Sequence, residues 1–486
     1  MTRQLSKCSK LLVTCSNGGP ALTRNSFFIA TTGLAVVLSV HCTSEQTPLR
    51  PDILLVTIDT LRADSLEPYG ATDTLTPNIA RLAAEGVVYE AATTPMPLTR
   101  PAHASILTGL YPDQHGVLTN RQILPDEDVT LAEYLIDAGY QTAGFTGIRF
   151  LNQRSGLAQG FADFAAPKDK TEKPRAKNVV ERAMSWLGGA DPDIPILLWV
   201  HVYDPHQPYD PPQKFRRNID PEIEDQIPQI RWKALNRAAN SNNGDVPKDV
   251  FELALDYYRG EVEYTDFWIG KLLEKFDRLR GSRTSMVVFT ADHGECFENG
   301  NHFEHADCFF EGALKVPLIV RYPKGVGAGL RVGRRVSNLD ITPTVLRALS
   351  LTWPENLAGI PLQEDFSEAG DRMVLVRAPE IRNPDRKPFR LRVIRSVVGE
   401  PVAPAADPRT RGVVDRLWKY LWSPETEQLF LLPDERLNRA AEEADLRARL
   451  LEALEAETLR YPAGGAAPED LDPETLEALE ALGYVQ

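Results

Sequence analysis

Three stretches of the chain gather residues that could do chemistry on an anionic ester. Thr99 stands in Pro97-Leu98-Thr99-Arg100-Pro101-Ala102-His103. Asp59 and Thr60 follow the run Ile53-Leu54-Leu55-Val56-Thr57-Ile58, and Asp292-His293 follow Ser285–Ala291. Pro97 and Pro101 keep the approach to Thr99 extended, Ala102 to Leu107 suit a helix, and Gly109 stops it. A hydroxyl just before a helix N-terminus faces free backbone N–H groups and the positive end of the dipole, which favour a phosphate- or sulfate-like group. The same position suits a plain N-cap threonine, and this stretch alone leaves both readings open. The other two stretches add weight to the first reading, because ligands of open α/β sheets bind beyond the carboxyl ends of strands. Asp59, Asp292, His293 and the Thr99 oxygen make a four-ligand set of hard oxygens and one imidazole. Ca2+, Mg2+ or Mn2+ fits such a set, the imidazole tilting it toward Mn2+ or Zn2+.

Delivering these residues to one place requires a sheet. Continuous apolar runs at Ile53–Asp59, Gln141–Thr146, Ile194–Val202, Ser285–Ala291 and Val316–Tyr322 read as strands buried on both faces. Helices are expected between them at Thr76–Glu85, Thr130–Ala138, Val179–Leu187, Asp249–Leu279 and Leu339–Leu349, with Thr76 as an N-cap before Pro77. The tyrosines and tryptophan of the long helix read as core. The alternation predicts an α/β fold, a doubly wound and mostly parallel sheet. Residues 211–246 lack periodicity and read as an insertion over the site. After Gly370 shorter strands at Met373–Arg377, Arg390–Ser396, Trp418–Trp422 and Gln428–Leu431 predict a small antiparallel α+β subdomain with a C-terminal helix. The expected division is an export signal and linker at 1–50, a catalytic domain at 51–370 and a C-terminal subdomain at 371–486.

Composition sets limits. The chain has 486 residues, 43% hydrophobic and 25% charged, which excludes disorder throughout. A net charge of −14 and a pI of about 5.2 argue against nucleic acid as a partner. Much of the acid excess falls in Glu442–Glu480 and reads as a solvated helical face. At the N-terminus, basic residues precede an apolar run from Phe27 to Val40, then Cys42. This pattern predicts export to the periplasm or cell envelope, with Cys42 as a lipid-anchor site; His41 fits a lipobox poorly, so simple signal cleavage stays open. Cys296 and Cys308 bracket the loop after His293 and would pair in an oxidising compartment.

Taken together, the motifs resemble the sulfatase family of the alkaline-phosphatase superfamily. They are Asp59 with Leu61-Arg62-Ala63-Asp64, Thr76-Pro77-Asn78, the Thr99 stretch with Leu107-Thr108-Gly109, His201-Val202-Tyr203-Asp204-Pro205-His206, Ala291-Asp292-His293-Gly294-Glu295, Val316-Pro317-Leu318-Ile319, Asp340-Ile341-Thr342-Pro343-Thr344 and Ala481-Leu482-Gly483-Tyr484. The resemblance implies a metal held by Asp59, Thr60, Asp292, His293 and Thr99, with Ca2+ the ion it favours. It also implies Thr99 as nucleophile and His103, His206 and His201 as further catalytic groups. Arg100, Asp204, His302 and His305 are expected to bind substrate, with Asp204 orienting His206, the first choice of acid. The implied substrate is a small-molecule, glycan or lipid-linked anionic ester. Two positions depart from the family. Sulfatases carry Cys or Ser where this chain has Thr99 and oxidise it to formylglycine, which Thr cannot become; their signature has Arg where His103 stands. Thr60 stands where many sulfatases have a second Asp. A Thr nucleophile resembles the phosphodiesterase, phosphonate-hydrolase and phosphoglycerol-transferase relatives. Phospho-group transfer, or an inactive homologue binding anionic glycans, are the alternatives.

Overall fold

The computed structural model describes residues 50–168, 174–216, 248–281, 283–297, 305–306, 308–364, 372–379 and 409–467. Outside them lie Cys42 and the expected export signal, most of the insertion, His302, the expected strand Arg390–Ser396, the boundary at Gly370 and the Ala481–Tyr484 motif.

At the centre stand β1 (Asp52–Ile58), β5 (Ile196–Val202) and β6 (Ser285–Ala291), runs of aliphatic and β-branched residues that are buried almost throughout. Such strands need cover on both faces, and the helices provide it. β1 pairs in parallel with β5 on one side and β6 on the other. Beyond β5 come β3 (Gln141–Thr146) and the short β4 (Asp163–Ala165). Beyond β6 come β7 (Lys315–Arg321), β2 (Val87–Thr93) and β8 (Arg331–Ser337), giving the order β4-β3-β5-β1-β6-β7-β2-β8. Only β7 runs against the other seven strands. The expected mostly parallel, doubly wound sheet is therefore present.

Helices fall into two packed groups. The first is α1 (Pro77–Glu85), α5 (Ala176–Gly189) and the long α6 (Lys248–Arg280); the second is α2 (Thr99–Thr108), α4 (Leu131–Asp137) and α8 (Ile341–Ala348). Two four-residue helices, α3 (Pro112–His115) and α7 (Glu311–Leu314), complete this part. Thr130 caps α4 in a box with Glu133, as its position suggests. Thr76 occupies the N-cap position of α1 before Pro77, as expected, but its side chain makes no cap bond. Its hydroxyl accepts from the Glu67 N–H at 3.0 Å, and the free N–H groups of Asn78 and Ile79 go to Asp266 on α6, at 3.3 and 2.8 Å. Tyr257, Tyr258 and Tyr264 of α6 are buried core, as expected.

The second sheet is antiparallel, in the order β12 (Glu427–Leu431), β11 (Trp418–Trp422), β10 (Arg411–Val414), β9 (Val374–Arg377), with α9 (Ala444–Arg460) laying Leu450 and Leu454 on it. Residues 48–486 form one compact unit. No helix among the described residues is long and apolar enough to cross a membrane.

Candidate metal centre and active site

Register explains why distant residues meet. Ile58 of β1 is paired with Ala291 of β6 and with Val202 of β5, so Asp59 and Asp292 leave adjacent strand ends in the same row. Thr57 and His201 share the row beneath. The chain turns sharply after Asp59, with Thr60 at φ 51°, a conformation costly for a β-branched residue and typical of sites where the surroundings hold it. Tyr258 supplies that hold: its hydroxyl donates to Thr60 O and accepts from Arg62 N–H, both at 2.9 Å. Arg62 in turn reaches Glu295 O at 2.8 Å and ties the two strand ends together. At the other end Gly294 is required, because a Cβ there would lie 2.0 Å from Gly312 O.

Asp59, Asp292 and His293 are wholly buried, and their ligand atoms lie within 4.8 Å of one another. His293 Nε2 is 3.8 Å from Asp59 Oδ1, 3.5 Å from Asp292 Oδ2 and 3.3 Å from Thr99 Oγ1. Its Nδ1–H donates to Gly294 O at 3.0 Å, which leaves Nε2 as the lone-pair nitrogen facing the carboxylates. Asp292 Oδ2 and Thr60 Oγ1 have no hydrogen-bond partner among the described residues. The histidines do not neutralise this charge. Burial pushes His293 down to about 4, holds His201 well below its usual value and lowers His103, so all three imidazoles are neutral at pH 7. Two buried carboxylates among neutral rings call for a cation. Asp59, Asp292, His293 and Thr99 bring three oxygens and one imidazole together, which fits a divalent ion.

A second histidine-carboxylate group, His103, His201 and Asp292, also lies close together. It does not make a second metal site. His103 Nδ1 lies 2.7 Å from Thr99 O, and a carbonyl only accepts, so that nitrogen carries the proton. His103 Nε2 meets Thr57 Oγ1 at 3.0 Å. Both nitrogens of His103 are thus engaged within the protein, and its Nδ1 lies 3.7 Å from Asp292 Oδ2. His201 Nδ1 accepts from Gly147 N–H at 3.3 Å, so the neutral ring presents Nε2–H, 3.8 Å from Asp59 Oδ2 and without a partner among the described residues.

Other expectations are corrected by their contacts. Thr99 is the first residue of α2, Leu98 holds the cap position, and no side-chain cap is made there, so the N-cap reading fails. Arg100 is fully buried and gives its guanidinium to the carbonyls of Gln122 and Phe150, at 3.0 and 2.5 Å, contacts that brace the start of α2. Asp204 does not orient His206. Its Oδ2 accepts from Ala176 N–H at the start of α5 at 2.5 Å, and it lies against Glu261. In the turn closed by His206 N–H to Tyr203 O at 2.9 Å, the Tyr203 ring stacks on His206 with centroids 4.9 Å apart and its hydroxyl lies 2.9 Å from His206 Nδ1. His206 is oriented instead by donating from Nδ1 to Gln207 O at 2.7 Å.

His305 stacks on His293 with ring centroids 4.6 Å apart, and His206 meets His305 edge-on at 5.3 Å. His305 Nδ1 lies 3.2 Å from Glu295 Oε1, and Glu295 Oε2 accepts from Tyr209 OH at 3.2 Å. Glu295 and Tyr209 were not singled out from the sequence; the Asp292-His293-Gly294-Glu295 spacing was the available signal. Asn338, just past β8, was missed as well. Its buried amide lies 3.4 Å from Asp292 O and 3.2 Å from Thr94 Oγ1, and only the sheet order brings it there. Cys296 and Cys308 are joined in a disulfide, as expected.

A mostly parallel α/β sheet with buried carboxylates, an imidazole and a helix-start hydroxyl at its carboxyl edge defines the alkaline-phosphatase class of ester hydrolases. The model of the sulfatase family matches residues 51–351, and the chain belongs to that family. It is 28% identical over 380 residues to an ulvan-active sulfatase of Formosa agariphila, covering 72% of this chain and 68% of the relative. It is 26% identical over 437 residues to a choline-sulfatase of Rhizobium meliloti, covering 78% and 80%. Among solved structures, BT4656 in complex with its substrate D-glucosamine-2-N,6-O-disulfate superposes with a TM-score of 0.67 at 19% identity, covering 85% of this chain and 98% of that one. A phosphonate monoester hydrolase of Agrobacterium radiobacter gives 0.65 at 22% identity, covering 84% and 96%.

Proposed function

We propose that the protein is an exported, metal-dependent hydrolase of sulfate, phosphate or phosphonate esters in which Thr99 is the nucleophile. One observation carries the reading: Thr99 Oγ1 lies at the helix start, 3.3 Å from His293 Nε2, facing the Asp59 and Asp292 carboxylates. When bound there, a divalent ion lowers the pKa of the hydroxyl and screens the charge of the ester oxygens. Ca2+ is the ion favoured by the family resemblance, with Mg2+ or Mn2+ also compatible with the donors.

The Thr99 hydroxyl loses its proton to solvent water, and Oγ1 bonds to sulfur or phosphorus as the bond to the leaving oxygen breaks. His201 Nε2–H donates to a non-bridging ester oxygen. The leaving alcohol takes a proton from His305, whose Nδ1–H is held by Glu295; a carboxylate there stabilises the imidazolium, which the Gln207 carbonyl behind His206 does less well. His305, first expected to bind substrate, thus displaces His206 as the acid. Water then attacks sulfur or phosphorus, passing a proton back to His305, and the Thr99 oxygen leaves and is reprotonated from solvent. Thr cannot expel the group as a formylglycine hemiacetal does, so this second displacement favours phosphate and phosphonate esters over sulfate.

The names of the relatives make sulfated glycans and choline sulfate substrates to try, and the proposed export rests on the apolar run from Phe27 to Val40 followed by Cys42. A panel of aryl sulfate, phosphate monoester, phosphodiester and phosphonate monoester with Ca2+, Mg2+ and Mn2+ tests the class. Mass spectrometry of quenched enzyme then identifies the group on Thr99. No turnover of any ester with any of these ions refutes the proposal.

A further inference from the structure

We propose that Thr57 and Trp199 are positioning residues for Thr99, acting through His103 in a one-directional hydrogen-bond relay. The direction follows from the atoms. Thr99 O can only accept, so His103 Nδ1 donates to it at 2.7 Å. The neutral ring then has its lone pair on Nε2, which accepts from Thr57 Oγ1–H at 3.0 Å. Having spent its one proton, the Thr57 oxygen accepts from Trp199 Nε1–H, also at 3.0 Å. Each donor has one acceptor, and reversing any link leaves two donors or two lone pairs face to face.

The far end of the relay is anchored in the sheet. Trp199 lies in β5, fully buried, with its ring 5.7 Å from Phe161, 6.1 Å from Phe164 and 5.5 Å from His103. Gly144 of β3 leaves room for this packing, since a Cβ there would lie 2.7 Å from the Phe164 ring. Thr57 sits in the row beneath Asp59, so the strand that delivers one carboxylate also sets the tautomer of His103. Four residues separate Thr99 and His103, one helical turn, and the imidazole folds back onto the carbonyl of the residue that carries the nucleophile. The relay thereby fixes the Thr99 peptide, and with it the Oγ1 position, against the rigid centre of the sheet.

The effect on turnover rests on Thr99 being the nucleophile; the relay itself does not. Thr57→Val keeps the side-chain shape and removes the hydroxyl. In folded protein it should lower kcat about 10- to 100-fold with KM and metal content unchanged, and Thr57→Ser should restore most of the rate. Trp199→Phe, which removes only the last donor, should cost less. Proton–nitrogen NMR of histidine-labelled wild-type protein, with the signal assigned by its loss in His103→Gln, should show His103 as the Nδ1–H tautomer. A wild-type His103 protonated on Nε2 overturns the proposal, as does a folded Thr57→Val enzyme with unchanged kcat. The NMR result decides the matter if Thr57→Val does not fold. Thr99→Ala assayed alongside keeps the two readings apart: full activity there removes the nucleophile, whereas an inactive Thr99→Ala beside a fully active Thr57→Val removes the relay alone.

Discussion

The two halves of the site are built differently. Asp59, Asp292 and Thr99 ride on the ends of buried strands and the start of a buried helix, where register and helical phase fix direction. His206 and His305 ride on the Tyr203–Tyr209 turn and the disulfide-bracketed segment after His293, where direction depends on turn geometry and local partners. The first half can be derived from which residue follows which strand. The second cannot, and there the contacts reassigned what the order of residues suggested. Predictions that probe each half separately test whether the division is also functional.

The largest effect belongs to Thr99, the proposed nucleophile. Thr99→Ala should lower kcat by at least about a thousandfold, while Thr99→Ser keeps much of it. Near-normal turnover by the alanine variant would remove the strand-and-helix half from the chemistry. Next comes the ion. Asp59→Asn and Asp292→Asn should each abolish retention of a stoichiometric divalent metal, read by elemental analysis, and reduce activity more than about a hundredfold. A metal-free wild-type enzyme with full activity contradicts both.

For the loop-borne half, His305→Asn should slow esters with poor leaving groups by about 100- to 10,000-fold and activated aryl esters far less. His206→Asn should show a weaker dependence on the leaving group. The reverse ranking would return the acid role to His206.

How much was legible follows the same division. β1, β5 and β6 announce themselves as unbroken apolar runs, and the candidate metal ligands Asp59 and Asp292 follow β1 and β6 directly. β8 does not read as a strand because three of the seven residues in RVGRRVS are arginine; Arg331 reaches out to Glu90, and Arg335 pairs with Glu311 across the strand end. β2 was missed because its register shifts between Tyr89 and Ala92 and breaks the alternation. Without these strands, Asn338 could not be placed. The His103 contact was readable in principle, since residues four apart on a helix face each other. Its neighbours Thr57 and Trp199 were not, because they depend on the pairing of β1 with β5.

A smaller effect concerns the bracket around His305. Cys296→Ser should destabilise the protein by roughly 3 kcal/mol in the chain-entropy model, for a pair 12 residues apart. It should also lower kcat through His305 while leaving metal content intact. Free thiols in the unreduced wild type would contradict the bracket.

The smallest effect separates Asp204 from His206. Burial pushes the Asp204 carboxyl up; burial first and the Asp204 charge second hold Glu261 well above the usual carboxylate range. Asp204 accepts from Ala176 N–H and Glu261 from Asp210 N–H at 2.8 Å, so the pair joins the start of α5 to the loop beyond His206. A carboxyl with a raised folded-state pKa keeps its proton after the unfolded chain has lost it. The native state then binds more protons, and stability falls as pH rises from the unfolded carboxylate value, about 4.3 for Glu, to the folded one. For one proton the slope is at most about 1.4 kcal/mol per pH unit. Glu261→Gln removes one titrating carboxyl, so the decline of unfolding free energy in that window should flatten, measured by denaturant melts across pH. Turnover at fixed pH should change little, because Asp204 holds a helix start and not the imidazole. A Glu261→Gln enzyme with the wild-type pH slope but an altered rate dependence on leaving group would reconnect Asp204 to His206.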